Sequence, residues 1–461
     1  MPILMPIPAG RSLGDGRAPV LTGRFAAVGL ALLAAALTAL ALNQMLFAAA
    51  ALYVLGFLLV ASRYPAVALM LIFASAPFQN DLSGGAGAKF SLAEVNLLLT
   101  LPILYVRGLV QKQRPRVGPV LLPVLLYFMV CVFSSIIHWR GQTALISLFQ
   151  MLLYFVVAVG VFYAFAPDPR HYWLAFNTLV AVGVFLAIAG LATNYWFIGL
   201  NKNGIADSLT CCFLVGVELI LSAQTKRRRV FLSLALPVIA VGLLFSLSRG
   251  AWLGTLGGVI FIFALRRQLP RLLRIGLLLL PLLALFWFTL SPASRDYATG
   301  FGREHYNINL RYESIDLAES YFHQSPVYGM GVGLRKDYDA TNVLLMTLAE
   351  TGVLGCLGFL LIHAAFFRMI WKAHVRTAPM DPLFSLLCIG GALVLNKFLH
   401  GLVDHYWSRG ALMATWAAAG MATRAYYMSL GRPTLVGQAL KGQTGQALKG
   451  QTGQALKGQT D

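Results

Sequence analysis

Long apolar segments follow one another along most of this chain, and they constrain its fold more than any other feature. Each is about as long as the roughly 18–20 residues that a helix needs to cross a bilayer. Only 11% of the 461 residues are charged, whereas soluble domains carry about 25%. Because a backbone in lipid must satisfy its own hydrogen bonds, the pattern predicts an all-α, polytopic transmembrane helical bundle.

We expect about 12–14 of the apolar segments to span the membrane as helices. Fourteen segments can be distinguished, but the third is short and ends at Pro77. Their approximate bounds are 25–43, 45–61, 64–78, 92–108, 119–137, 143–165, 172–192, 204–222, 230–246, 250–266, 275–291, 342–367, 383–403 and 409–427. The predicted organisation is an N-terminal segment (1–24), a bundle (25–291), a long loop (292–341), C-terminal transmembrane helices (342–427) and a tail (428–461).

The positive charges predict how the chain is oriented. With the N-terminus inside, the inner segments hold 25 Lys and Arg residues, the outer segments hold 10, and Lys397 lies within a span. Cytoplasmic loops carry the excess of cations in membrane proteins. We therefore expect both termini inside and the 292–341 loop outside, with 1–24 and the tail on the cytoplasmic side.

The formal net charge of +19 does not indicate nucleic-acid binding, because the cations lie in short clusters between apolar segments rather than on one polar face. All five cysteines fall within apolar segments, which favours a role in packing.

The tail repeats GQALKGQT three times over 437–460. Such a polar repeat cannot bury a core and is predicted to be disordered.

The outer loop is long for a connection, which is typical of a functional segment. Tyr312, Ile315, Ala318 and Phe322 have the spacing of one apolar helical stripe, and Pro326 is expected to end that helix. We expect this amphipathic helix to lie on the membrane surface or to cover a cavity.

Two arginines on the predicted outer side are candidate phosphate ligands. Arg249 lies between Ser248 and Gly250 in a tight turn between two apolar segments, and Arg311 opens the amphipathic helix. A guanidinium is permanently charged and can bind phosphate bidentately. The alternatives are that Arg249 only contacts lipid headgroups and that Arg311 only pairs with a nearby carboxylate on its own helix.

A glycine-rich stretch, 326–333, follows the amphipathic helix, with Gly331 and Gly333 in alternation. Its backbone N–H groups are candidate anion ligands, although the stretch could equally be a hinge. Asn342 begins the next apolar segment, whose helix N-terminus also favours an anion. The chain has no Walker-type loop and no HExxH motif, and Asp404 with His405 is too little for a metal site. We predict neither a metal nor a cofactor.

These motifs resemble the O-antigen ligase and O-antigen polymerase superfamily of bacterial membrane proteins. The matching pieces are Asn203-Gly204, Ser248-Arg249-Gly250, Arg311, Pro326 to Gly333, and Asn342 running into Ala349-Glu350-Thr351-Gly352. The resemblance implies an enzyme of the inner membrane that transfers a glycan from undecaprenyl diphosphate to an acceptor hydroxyl. The acceptor is lipid A–core in a ligase and another lipid-linked glycan in a polymerase. It also implies that Arg249 and Arg311 bind the diphosphate.

One position departs from the ligase pattern, in which a histidine precedes the asparagine at 342 and is the proposed base. Here Thr341 occupies that position, which favours a polymerase. We take His323 as the candidate base, with His305, His400, His405 and Asp404 as alternatives on the same side. The other alternative is that the chemistry proceeds without a strong base. The remaining predicted substrate ligands are Asn203, Arg335, Asn342, Asp404 and His405, besides the two arginines and the two glycines.

Two other functions stay open. One is a lipid-phosphate glycosyltransferase with a protein or lipid acceptor. The other is a transporter or flippase of lipid-linked sugars, although no internal repeat of the kind common in transporters is detectable. Glu218 and Lys397 lie within apolar segments, and the sequence offers neither an obvious partner.

Overall fold

The computed structural model describes residues 45–78, 91–110, 118–164, 169–198, 200–300, 306–334, 340–404 and 410–431. Within these ranges the secondary structure is helical, apart from one isolated β-bridge between Phe197 and Leu200. The all-α prediction is confirmed. The predicted span 25–43 and the repeat of the tail lie outside the described residues.

The helices are α1 (Met45–Arg63), α2 (Pro65–Ser75), α3 (Leu92–Val110), α4 (Leu121–Ile137), α5 (Gln142–Leu152), α6 (Val159–Ala164), α7 (Pro169–Ala192), α8 (Lys202–Leu221), α9 (Lys226–Phe245), α10 (Arg249–Leu265), α11 (Leu269–Thr289), α12 (Pro292–Thr299), α13 (Tyr306–Gln324), α14 (Val343–His374), α15 (Pro382–Gly401) and α16 (Gly410–Leu430). A π-helical turn, Leu153–Ala158, joins α5 to α6. By contact density the chain forms two compact units, Met1–Pro65, which contains α1, and Ala66–Asp461, which contains α3 to α16.

Within the described residues, seven helices are long and apolar enough to cross a membrane, and five further apolar helices are shorter. The third predicted segment is indeed short, since α2 has 11 residues. The chain is therefore a multi-pass α-helical membrane protein.

Burial separates central helices from peripheral ones. In α8 and α15, 78% of the 18-residue apolar stretch is buried inside the protein, whereas in α11 none of that stretch is buried. A helix that is apolar on all sides and unburied is suited to contact lipid. The two central helices carry Asp207, Lys397 and His400, so these polar side chains lie in the protein interior.

Glycines let α10 approach the central helices closely. A Cβ atom at Gly254 would lie 2.2 Å from Oδ1 of Asn396 on α15, and one at Gly258 would lie 2.5 Å from Leu214 on α8. Small residues at this spacing are typical of tightly packed membrane helices. The close contact fixes where the first residue of α10, Arg249, lies relative to α15.

The predicted amphipathic helix of the outer loop exists as α13, but it begins at Tyr306, so Arg311 lies in its second turn rather than opening it. Ala318 is buried in a small cluster with Met346 and Ala349 of α14. Tyr312, predicted to belong to the apolar stripe, is instead exposed, because the stripe that packs on α14 is centred on Ala318.

Candidate functional site

Arg249 is held at the junction of α10 with the end of α15. A Cβ atom at the neighbouring Gly250 would lie 2.5 Å from Cδ2 of His400 and 3.0 Å from Cγ2 of Val403. Only glycine permits this approach. The Nη1 atom of Arg249 donates a hydrogen bond to the carbonyl of Gly300, 2.6 Å away, which ties the end of α12 to the same place.

Arg311 reaches the same segment from α13. Its Nη1 atom donates to the carbonyl oxygen of Val403 at 2.5 Å, and its Nη2 atom lies 3.3 Å from Oδ2 of Asp404. The amide of Asn342 donates to the carbonyl of Leu402 at 3.0 Å. Elements distant in sequence therefore converge on residues 402–404, which we call the site turn.

The structure thus brings the two predicted arginines together at one end of the bundle. Gly250 and Arg311 both contact Val403. Arg249 is the first residue of α10, and the positive charge of Arg311 lies close enough to act on its guanidinium. The carboxylate of Asp404 acts in the opposite direction. Mutual repulsion between two cations is relieved when an anion binds between them.

A third cation adjoins this pair. The Nζ atom of Lys202 lies 3.6 Å from the ring centroid of Tyr297, in cation–π geometry. Asn203, a predicted ligand, follows it in the first turn of α8 and is half-buried. The N-terminal end of α8 therefore adds positive charge near Tyr297, which lies close to Arg249.

A buried polar chain continues from the site turn into the bundle. Oδ2 of Asp404 lies 4.0 Å from Nε2 of His400, whose Nδ1 lies 3.0 Å from Oδ1 of Asp207. Oδ2 of Asp207 accepts a hydrogen bond from Nζ of Lys397 at 2.6 Å. Asp207 is therefore the partner of Lys397. Sequence reasoning missed it because the two residues lie on different helices.

Glu218 also has a partner. It pairs with Arg266, whose Nε donates to Oε2 of Glu218 at 2.8 Å and whose Nη2 contacts Oε1. Both side chains are buried, and the pair lies at the opposite end of α8 from Lys202. It is a structural link between α8 and the end of α10 rather than part of the site.

The glycine-rich stretch is engaged within the protein. Gly331 N–H donates to the carbonyl of Glu350, and Gly333 N–H donates to the Oε1 atom of Glu350, each at 3.1 Å. A Cβ atom at Gly331 would lie 2.2 Å from the carbonyl oxygen of His138. Positive φ angles and close packing explain these glycines. Their N–H groups therefore donate to Glu350 within the protein.

Asn342 likewise has a local task. Its Oδ1 accepts hydrogen bonds from the N–H groups of Leu344 and Leu345, at 2.9 and 3.1 Å, and so caps α14. The amide nitrogen of Asn342 bonds the site turn, so both ends of this side chain make hydrogen bonds within the protein. Arg335 and His405 lie outside the described residues.

His323 is not brought to the arginines. It lies twelve positions after Arg311 on α13, about 18 Å along the helix axis. Its side chain is 70% exposed, with Nε2 3.6 Å from Oε1 of Glu319. His400 and Asp404 are the acid–base groups that adjoin the arginines.

Among the described residues, no group of three or more His, Cys, Asp or Glu side chains is arranged to hold a metal ion. A comparison with curated proteins gives no match. A comparison with protein families gives a match over residues 232–360, which covers α10 to α13, both arginines and the kinked first half of α14. The family is described as O-antigen ligase, so residues 232–360 are similar to that family, and the resemblance drawn from the motifs is confirmed.

Proposed function

We propose that this membrane protein transfers a glycan from undecaprenyl diphosphate to an acceptor hydroxyl at the outer face of the bacterial inner membrane. The match of residues 232–360 to the O-antigen ligase family supports a membrane glycan ligase or polymerase in general. The observation that carries the finer proposal is the convergence of Arg249 and Arg311 on the site turn.

The proposed reaction needs a stabilised leaving group. The acceptor oxygen forms a bond to the anomeric carbon of the donor sugar, and the bond from that carbon to the diphosphate breaks. Negative charge develops on the departing phosphate oxygen. Cations fixed before the reaction stabilise such charge without reorganising. Arg249 and Arg311 are held by backbone carbonyls, and Lys202 supplies further positive charge.

The proton of the acceptor hydroxyl also needs a destination, since Thr341 replaces the ligase histidine. We assign this role to Asp404, which adjoins Arg311 at 3.3 Å and His400 at 4.0 Å. His400 in turn contacts the buried carboxylate of Asp207. This arrangement orients the imidazole beside Asp404 and makes Asp404 a better candidate than the exposed His323.

The departure at Thr341 favours a polymerase over a ligase. A direct test supplies the purified protein, in lipid nanodiscs, with undecaprenyl-diphosphate-linked repeat units alone and then with lipid A–core. Longer glycans on the carrier indicate a polymerase, and product only after lipid A–core is added indicates a ligase. Movement of the donor across a vesicle membrane without any covalent product would support the transporter alternative and overturn the proposal.

The arginine assignment has its own test. Arg249→Lys and Arg311→Lys keep the charge but lose the planar fork, so each is expected to lower transfer about 100-fold or more. Arg295→Lys is the matched control. Arg295 lies in the 292–341 loop, as Arg311 does, but its guanidinium donates hydrogen bonds to the carbonyls of Trp287 and Phe288. Normal transfer by both site variants would reduce the two arginines to structural contacts.

A further inference from the structure

A cavity of about 240 Å³ lies at the end of the bundle opposite the arginines. It is formed where α8 ends, α9 begins and α15 begins, and its lining includes Trp173, Ser222, Gln224, Thr225, Arg228 and Ser385. The site turn follows the other end of α15, so the two places are separated by the length of a helix. The distribution of cations predicts that this end faces the cytoplasm.

Arg228 gives the cavity its chemistry. Its guanidinium carbon lies 4.8 Å from the ring centroid of Trp173. Its Nε and Nη2 atoms are buried, and neither has a hydrogen-bond partner among the residues that the structure describes. Charged donors buried in this way are unfavourable until an acceptor binds them. An anion in the cavity would supply the acceptor.

A larger groove of about 620 Å³ adjoins this cavity and shares Gln224 with it. Lys226 and Arg229 line it at the start of α9, and Val230 and Leu234 line it further along the same helix. Both apolar side chains are exposed, at 50% and 69%. The groove therefore offers cations at one end and an apolar wall along a membrane helix, which matches a charged headgroup followed by an acyl chain.

Charge selects among lipids. Lys226 to Arg229 are four consecutive cations, and no acidic residue occurs from 219 to 234. An anionic phosphodiester gains from this field, whereas the ammonium group of a zwitterionic headgroup is repelled by it. A tryptophan beside the cation is typical of the membrane interface, where aromatic side chains lie at headgroup level.

We propose that this cavity and groove bind one anionic phospholipid, with its phosphate on Arg228 beside Trp173 and an acyl chain against Val230 and Leu234. The site is independent of the glycan reaction and stands or falls separately from it. Its ligand is a phosphodiester without a compensating positive charge, such as phosphatidylglycerol.

Native mass spectrometry of the full chain from mixed micelles tests the proposal. Phosphatidylglycerol is expected to stay bound, whereas phosphatidylcholine is not. Arg228→Gln should lower retention of phosphatidylglycerol about tenfold more than Arg227→Gln, since only Arg228 offers buried donors to the phosphate. The exposed Arg227 removes the same charge from the same cluster and is the matched control. Equal losses in the two variants would mean general attraction and would overturn the site.

Two further arms decide the remaining cases. Inorganic phosphate should not displace phosphatidylglycerol from the wild type at equal concentration, and full displacement would assign the site to a free anion instead. Met380→Trp keeps Arg228 but enlarges a side chain that lines the cavity. It should also lower retention, so the proposal can be judged even if Arg228→Gln fails to fold. Unchanged retention in a folded Met380→Trp variant would contradict binding in the cavity.

Discussion

The Nζ atom of Lys397 lies 2.6 Å from Oδ2 of Asp207, and both side chains are at most 1% exposed. The other carboxylate oxygen of Asp207 contacts Nδ1 of His400 at 3.0 Å. The pair joins two deeply buried membrane helices, α8 and α15, close to the site turn. A buried charge that loses its partner is strongly destabilising.

Lys397→Met is therefore expected to lower the free energy of unfolding by about 3–5 kcal/mol, because it leaves the Asp207 carboxylate buried without its main counter-charge. Adding Asp207→Asn to the same chain should restore part of the loss, since no uncompensated charge remains. Denaturant unfolding in detergent micelles measures both values. Lys372→Met, at an exposed position of α14, is the control. A Lys397→Met variant as stable as this control would contradict the role of the pair.

The transmembrane fold could be predicted from sequence because apolarity over one helix length is a local property. The position of Arg249 could be predicted for the same reason, since the turn between two apolar segments is short. The pairing of Lys397 with Asp207 could not be predicted, because 190 residues separate them and helical periodicity does not specify which helices touch. Glu218 and Arg266 are separated by 48 residues and were missed for the same reason.

The glycine-rich stretch was interpreted only in part. Gly329, Gly331 and Gly333 all adopt positive φ angles, a conformation that glycine permits without steric cost. What their N–H groups face depends on a distant residue, Glu350, whose side chain and carbonyl accept two of them. A sequence can identify an unusual backbone without identifying its partner.

Gly352→Ala tests the packing of that stretch on α14. Gly352 has a φ of 64° and a ψ of −165°, and a Cβ atom there would lie 2.3 Å from the carbonyl oxygen of Val327. Both the strained backbone and the contact are costly, so we expect a loss of about 2 kcal/mol or more in the free energy of unfolding.

The control for this change is Gly276→Ala on α11, where a Cβ atom would meet nothing within 4 Å. It should leave stability within about 1 kcal/mol of the wild type or raise it slightly, as expected for alanine in a helix. Thermal unfolding followed by tryptophan fluorescence compares the two variants. Similar midpoints would show that the turn at Val327 adapts and that Gly352 is not required.

Tyr297 connects Lys202 to the arginine pair, and its ring rather than its hydroxyl makes that contact, at 3.6 Å from Nζ. Tyr297→Phe should therefore keep glycan transfer within about twofold of the wild type, whereas Tyr297→Leu should weaken donor use about threefold to tenfold, as expected for loss of a cation–π contact. The KM for the lipid-linked donor is the measurement. Equal effects of the two substitutions would assign the role to the hydroxyl instead.

Substitution of Asp404 distinguishes an effect on donor binding from an effect on the chemical step. Its carboxylate lies 3.3 Å from Nη2 of Arg311, so it adds negative charge where a diphosphate would bind, while offering a base for the acceptor. Asp404→Asn keeps the shape but removes both the charge and the basicity. We expect turnover to fall about 100-fold, the typical loss for a general base, while the donor KM stays the same or decreases.

The direction of the KM change distinguishes this role from a purely structural one. If Asp404 served only to hold Arg311 in place, its loss would misplace a cation and raise the donor KM together with the fall in turnover. Asp316→Asn, an exposed acid on the same helix as Arg311, is the control and should leave both constants unchanged. A parallel rise in donor KM for Asp404→Asn would therefore remove Asp404 as the base and leave the proton with the departing diphosphate, which accepts it without help from the protein.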